Sequence, residues 1–206
     1  MTGRPRWPWI PAFPRAARVA AIGVVLVALG PPGVAQSPTV APPLDARPLS
    51  NAEAPRYMRQ LARQLRAVVK DTPVELARGR GDLLRIRIPA DYLFGLDATQ
   101  LNAAGPVRLD PLVTTLESAD RTQLVVVGHT DTLGTKEFNS AFSLRRAAAV
   151  AEYLQRQGVA AARVDIRGAG EREPAERKED SPAARQRNRR IEIEVRPFRP
   201  SRRAAS

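Results

Sequence analysis

Leu124-Val125-Val126-Val127-Gly128-His129-Thr130-Asp131-Thr132-Leu133-Gly134 joins a continuous apolar run to a short polar loop that ends in glycine. A run of that length, rich in β-branched residues, predicts a central strand buried on both faces. The loop then sets Asp131 at the carboxyl end of the strand, where open sheets with helical crossovers present groups to a ligand.

Upstream, after the turn Gly79-Arg80-Gly81, Leu84, Ile86 and Ile88 alternate with Arg85 and Arg87. That period of two predicts the first strand, with one buried face. Between the two strands, Asn102 precedes a helical stretch carrying Val107, Leu112, Val113 and Leu116. Pro106 suits a first turn, but Pro111 falls where an interior hydrogen bond belongs, so this helix is expected to start late or to kink. Downstream, Leu144 to Gln157 predicts a strong helix closed by Gly158. Val164 to Arg167 and Ile191 to Val195 alternate again and give two more strands. The order β-α-β-α-β-β implies an α+β two-layer sandwich with a mixed sheet, because the last strand follows without a crossover helix.

The flanks read differently. Arg4, Arg6, Arg15 and Arg18 precede the apolar run Val19 to Leu29, then Pro31-Pro32 and Gly33-Val34-Ala35. That sequence of basic, apolar and small residues predicts a secretory signal over 1–35, cleaved after Ala35. Residues 36–55, with Pro38, Pro42, Pro43, Pro48 and Pro55, read as a proline-rich linker. Met58, Leu61, Leu65 and Val68 recur at helical spacing within an amphipathic helix expected over 56–70. Residues 197–206, with Arg199, Arg202 and Arg203, read as a basic disordered tail.

Of 206 residues, 33 are Lys or Arg and 21 are Asp or Glu, a net charge of +12 that falls to +8 without the four arginines of 1–35. Arginine dominates, which favours bidentate capture of carboxylate or phosphate. The absence of cysteine excludes a disulfide framework, a thiol nucleophile, sulfur-liganded zinc and lipid attachment through a lipobox cysteine. No recognition helix or stacking aromatic motif accompanies the charge, so nucleic acid is not the expected partner.

Arg146 follows Asp131 by fifteen residues. At 100° per residue from Phe142, it falls at about 40°, between Tyr153 at about 20° and Val150 at about 80°, whereas Arg145 falls at about −60° on the watered edge. A guanidinium keeps its proton and is costly to bury alone, so Arg146 inside the apolar stripe requires an anion. Asp131 is the candidate partner. Alternatively, a ligand with an ammonium and a carboxylate on one carbon would bridge the two.

The same residues carry a family resemblance. GHTDTLG is followed by Asn139, by Phe142-Ser143-Leu144-Arg145-Arg146-Ala147, by Val150, Tyr153-Leu154 and Gly158-Val159, by Gly168-Ala169-Gly170-Glu171 with Pro174, and by Asn188-Arg189-Arg190-Ile191-Glu192-Ile193. In order and spacing, about residues 83–196 resemble the OmpA-like C-terminal domain of the OmpA, peptidoglycan-associated lipoprotein and MotB type. The resemblance implies non-covalent binding of diaminopimelate in peptidoglycan stems, with Asp131 on the ammonium and Arg146 on the carboxylate. It further implies that Asn139 shapes the binding loop, that Leu133 lines the pocket through main-chain groups, and that Asp97 stands where relatives carry a small polar residue. Lys178-Glu179-Asp180 departs from the family's Asn in that loop, which is one residue longer.

His129 is the only histidine, and one His without Cys falls short of a metal set, so it is expected to be structural. His129 with Ser143 lacks the third group that nucleophilic catalysis needs, so no enzyme is expected and no cofactor is implied. Asn188, Arg189 and Arg190 are read as framework on an edge or solvated face. The expected function is tethering the protein, or an envelope partner, to the cell wall from the periplasm, with outer-membrane association. The alternative is an inner-membrane-anchored secretion or stator-type subunit that retains its N-terminal segment.

Overall fold

The computed structural model describes residues 47–199. The expected signal segment, residues 36–46 of the linker and residues 200–206 of the basic tail lie outside these residues. In chain order the elements are α1 (Ala54–Val69), β1 (Glu75–Arg78), β2 (Leu84–Pro89), α2 (Ala90–Leu93), α3 (Gly105–Ser118) and β3 (Thr122–His129). They continue with α4 (Lys136–Arg156), a short 3-10 turn (Ala161–Arg163), β4 (Val164–Gly170), α5 (Pro182–Asn188) and β5 (Arg190–Pro197).

The strands form one mixed sheet in the order β1-β2-β5-β3-β4. β3 and β4 run parallel, joined through α4, and the other neighbours are antiparallel. The alternation read from sequence sorts the faces. Leu84, Ile86 and Ile88 of β2 pair with Val195, Ile193 and Ile191 of β5, and all six are buried in the core with the apolar sides of α1, α3 and α4. The opposite face carries cross-strand charge pairs: Arg85 Nε to Glu194 at 3.1 Å and Arg87 Nε to Glu192 at 3.2 Å.

Three expectations change. The sheet does not begin at Leu84, because β1 pairs with β2 along its far side. Glu75 and Arg78 are exposed on this edge strand and Leu76 and Ala77 only half-buried, so its four residues show no clean alternation. The last strand is not an edge: β5 lies between β2 and β3, and its polar residues Arg190, Glu192 and Glu194 are buried. Finally, α3 runs through Pro111 as one helix. The hydrogen bond that proline deletes would have ended on the carbonyl of Val107, which is 71% exposed, so water can take its place.

Two features fix the helix that matters most. Thr135 caps α4, its Oγ1 accepting from Phe138 N at 3.1 Å, so the helix starts eight residues before Leu144. Gly128 and Gly168 then let α4 lie directly on β3 and β4. A Cβ on Gly128 would fall on the Ser143 carbonyl, and one on Gly168 would meet Ser140 O at 2.7 Å. Buried Arg163 closes the C-terminal end of α3, donating to Leu116 O (2.8 Å), Glu117 O (3.2 Å) and Ala119 O (2.6 Å), and ties it to the first residue of β3 through Thr122 O (3.0 Å). The first three are carbonyls that the end of α3 leaves open.

Candidate functional site

At the carboxyl ends of β2 and β3 an open pocket of roughly 320 Å³ is lined by Asp91, Leu96, Asp97, Thr130, Asp131, Leu133, Phe138, Asn139, Phe142, Arg146 and Arg189. All five residues singled out from sequence are among them: Asp97, Asp131, Leu133, Asn139 and Arg146. Asp131 comes from the tip of β3, Arg146 and Asn139 from α4, and Asp97 from the loop after α2.

Asp131 is 6% exposed. Its Oδ1 accepts from Leu133 N at 3.2 Å, and its Oδ2 from Arg189 Nη1 at 2.9 Å. A carboxylate oxygen has two lone pairs, so both retain a direction for a ligand donor. Leu133 thus spends its main-chain N–H on Asp131, while its side chain stands exposed at the rim beside Phe138, which stacks on Phe142 at 5.4 Å.

Arg146 is 4% exposed, inside the apolar stripe as its helical angle requires. The expected direct pairing with Asp131 is not what holds it. Its Nε donates to Ala98 O at 2.7 Å and its Nη2 to Gly95 O at 3.4 Å. The guanidinium lies between Phe94 and Phe142, at 5.0 and 4.4 Å from their ring centres. Burial lowers its pKa, opposed by the nearby carboxylates Asp91, Asp97 and Asp131. Two carbonyls engage part of a five-donor fork and leave donors for an anion.

The physical reason for the missing pair is Arg189. It bridges Asp131 and Asp91, the latter at 3.2 Å, and burial of its guanidinium is outweighed by these two carboxylates, which raise its pKa. Arg189 was expected to be framework; it stands in the pocket wall. Only its position at the start of β5, opposite the β3 tip, could have shown this, and that register is invisible in one sequence.

Behind the pocket, the loop between β4 and α5 grips the Asp131 loop. Glu179 accepts from Thr132 N at 2.9 Å and Thr132 Oγ1 at 2.7 Å, and also from Asn188 Nδ2. The acid that departs from the family pattern is therefore a strut. Asn139 Nδ2 donates to Asp131 O at 3.3 Å and to Glu171 Oε2 at 2.8 Å, so it pins both sides of the loop. Asp97 is exposed at the rim with φ 51°, a left-handed conformation that a short polar side chain tolerates. Thr130 adds a buried hydroxyl with no hydrogen-bond partner.

His129, one residue before the loop, points to the other sheet face. It is 2% exposed, neither ring nitrogen has a partner, and burial beside Arg190 pushes its pKa down to about 3. Among the described residues no three His, Asp or Glu side chains converge to hold a metal.

Fold and site define the class as a two-layer α+β domain whose pocket has opposite charges in its walls and apolar residues on its rim. Residues 93–189 match the model of the OmpA family. Outer membrane protein A of Bordetella avium is 35% identical over 106 residues, covering 52% of this chain and 54% of that protein. The chain therefore spans about half the length of this relative. Among solved structures, a MotB-like protein from Desulfovibrio vulgaris superposes with a TM-score of 0.60 at 21% identity, covering 73% of this chain and 98% of that one. The cell wall anchor of the T6SS from Pseudomonas aeruginosa superposes at 0.55 with 28% identity, covering 66% and 96%.

Proposed function

We propose that this domain binds peptidoglycan without covalent chemistry, taking the diaminopimelate of a peptide stem into the Asp131 and Arg146 pocket. The observation that carries the reading is the pairing itself. One pocket holds a buried carboxylate and a buried guanidinium, and other groups anchor each so that neither consumes the other. A free amino-acid head has an ammonium for Asp131 and a carboxylate for Arg146, and its aliphatic chain suits the rim of Leu96, Leu133 and Phe138. The domain is a binding module, not a catalyst. The match of residues 93–189 to the OmpA family and the likeness to a cell wall anchor support that reading.

Such a module works in the periplasm and tethers the protein, or an envelope partner, to the wall. Cleavage after Ala35 remains part of the proposal. The likeness to a secretion-system wall anchor favours a second reading, in which the N-terminal segment is retained in the inner membrane. N-terminal sequencing of the exported protein separates the two.

The binding test is co-sedimentation with purified sacculi. Asp131→Ala and Arg146→Ala are each expected to cut binding by tenfold or more, since a charge-assisted hydrogen bond is worth about 1.5 to 3 kcal/mol. Free diaminopimelate should compete and cadaverine, which keeps ammonium groups but has no carboxylate, should not. Undiminished sedimentation of both folded variants would refute the assignment.

A further inference from the structure

The exposed side of α1 is a second surface with its own chemistry. Over residues 54–70 the chain has Arg56, Arg59, Arg63, Arg66 and Lys70 and no acid. The four arginines are exposed on the helix, and Lys70, at its C-cap, is exposed too. Spaced by three, four and three, the arginines fall within an arc of about 80° and span about 15 Å along the axis. None of the five forms an ion pair among the described residues. The nearest acids in sequence, Glu53 and Asp71, lie outside the helix, and Glu53 is held by Arg47 and Arg121.

This arrangement works against the helix. Cations three and four residues apart repel one another, and Arg56 in the first turn opposes the helix dipole. On the open face of the sheet, by contrast, arginines are paired, as Arg85, Arg87 and Arg190 are with Glu192 and Glu194. The apolar side of α1, with Met58, Leu61 and Leu65, is already buried in the core, so the helix has no second apolar face to offer. Arg59 also shares a shallow groove with Arg78 of β1, and the one acid that lines it, Asp82, is paired with Arg199.

We propose that the arginine face of α1 docks on an anionic lipid bilayer. A straight row of cations on one side of a rigid helix can touch a continuous plane of phosphates all at once, whereas a small discrete anion meets only one or two. Nucleic acid fits less well, because no aromatic stands free beside the row for a base to stack on: the single aromatic of the helix, Tyr57, is half-buried beneath Arg121. The contact is electrostatic and superficial, not an insertion. It holds whether or not the N-terminal segment is removed and does not depend on the wall-binding pocket.

The test uses the full chain and sedimentable vesicles of phosphatidylcholine, with and without phosphatidylglycerol. Neutral vesicles register any affinity of the apolar run Val19 to Leu29, and the excess on anionic vesicles registers charge. Replacing Arg59, Arg63 and Arg66 together by Gln should weaken that excess on the order of a hundredfold, and salt should weaken it in the parent. Single replacements at Arg63 or Lys70 should each cost about fivefold, which keeps the test open should the triple variant not fold. Asp131→Ala should leave vesicle binding unchanged, so failure of the pocket reading is distinguishable. An excess that survives the folded triple variant overturns the proposal. So does a triple variant that keeps its vesicles but loses sacculi, since that would assign the row to the wall.

Discussion

At the scale of single residues, the acid and the arginine were legible in the sequence because each is set by local geometry: one by a strand tip, the other by a helical angle. What joins them was not. Arg189 reaches Asp131 from 58 residues away, and Glu179 supports Thr132 from 47 away, through strand register and loop folding that no short spacing encodes. His129 is buried on the far face of the sheet, and its surroundings give it a measurable signature. The folded state keeps it neutral to about pH 3, whereas an unfolded chain protonates it near 6.5. Its contribution is therefore complete above pH 6.5 and is lost as pH falls. Between pH 6.5 and 4.5 this costs about 2 kcal/mol, before Glu192, itself held below the ordinary carboxylate range despite burial, begins to add its own loss. Urea unfolding across this window should show that slope, and His129→Gln should flatten it; an unchanged slope would place the acid sensitivity elsewhere.

At the scale of elements, α4 is the part on which the site depends, because it carries Asn139 and Arg146 and is seated by two glycines. Sequence patterning foresaw the helix and its apolar stripe. The closeness of its approach to the sheet was hidden, since a glycine in a strand signals close packing without saying what packs there. Gly128→Ala should force the Ser143 backbone away from β3 and cost about 3 kcal/mol or more. It should also impair sacculus binding while leaving Asp131 and Arg146 chemically intact. Wild-type stability in thermal melts of this variant would show that the gap between α4 and β3 can widen without cost.

At the scale of the whole molecule, the packed unit extends in front of the stretch that carries the family motifs. Met58, Leu61 and Leu65 of α1 share the core with β2, β5 and α3, and Leu49 is 1% exposed. The helix itself was readable from its 3.6-residue period. Its docking was not, because an amphipathic helix announces an apolar face but not the surface that covers it. A fragment beginning at residue 83 should therefore aggregate or melt well below one beginning at residue 47. Circular dichroism of the two fragments checks this, and equal melting would mean that α1 and β1 are dispensable to the core.

Leu49 N donates to Phe198 O at 2.7 Å, just past the end of β5, while the pocket lies at the other end of that strand. If the pocket holds the wall, as proposed, a pull transmitted through Leu49 runs lengthwise along β5. Its ladders to β2 and β3 are then loaded in shear, many hydrogen bonds at once, instead of being unzipped singly. The topology thus suits the domain to bearing mechanical load.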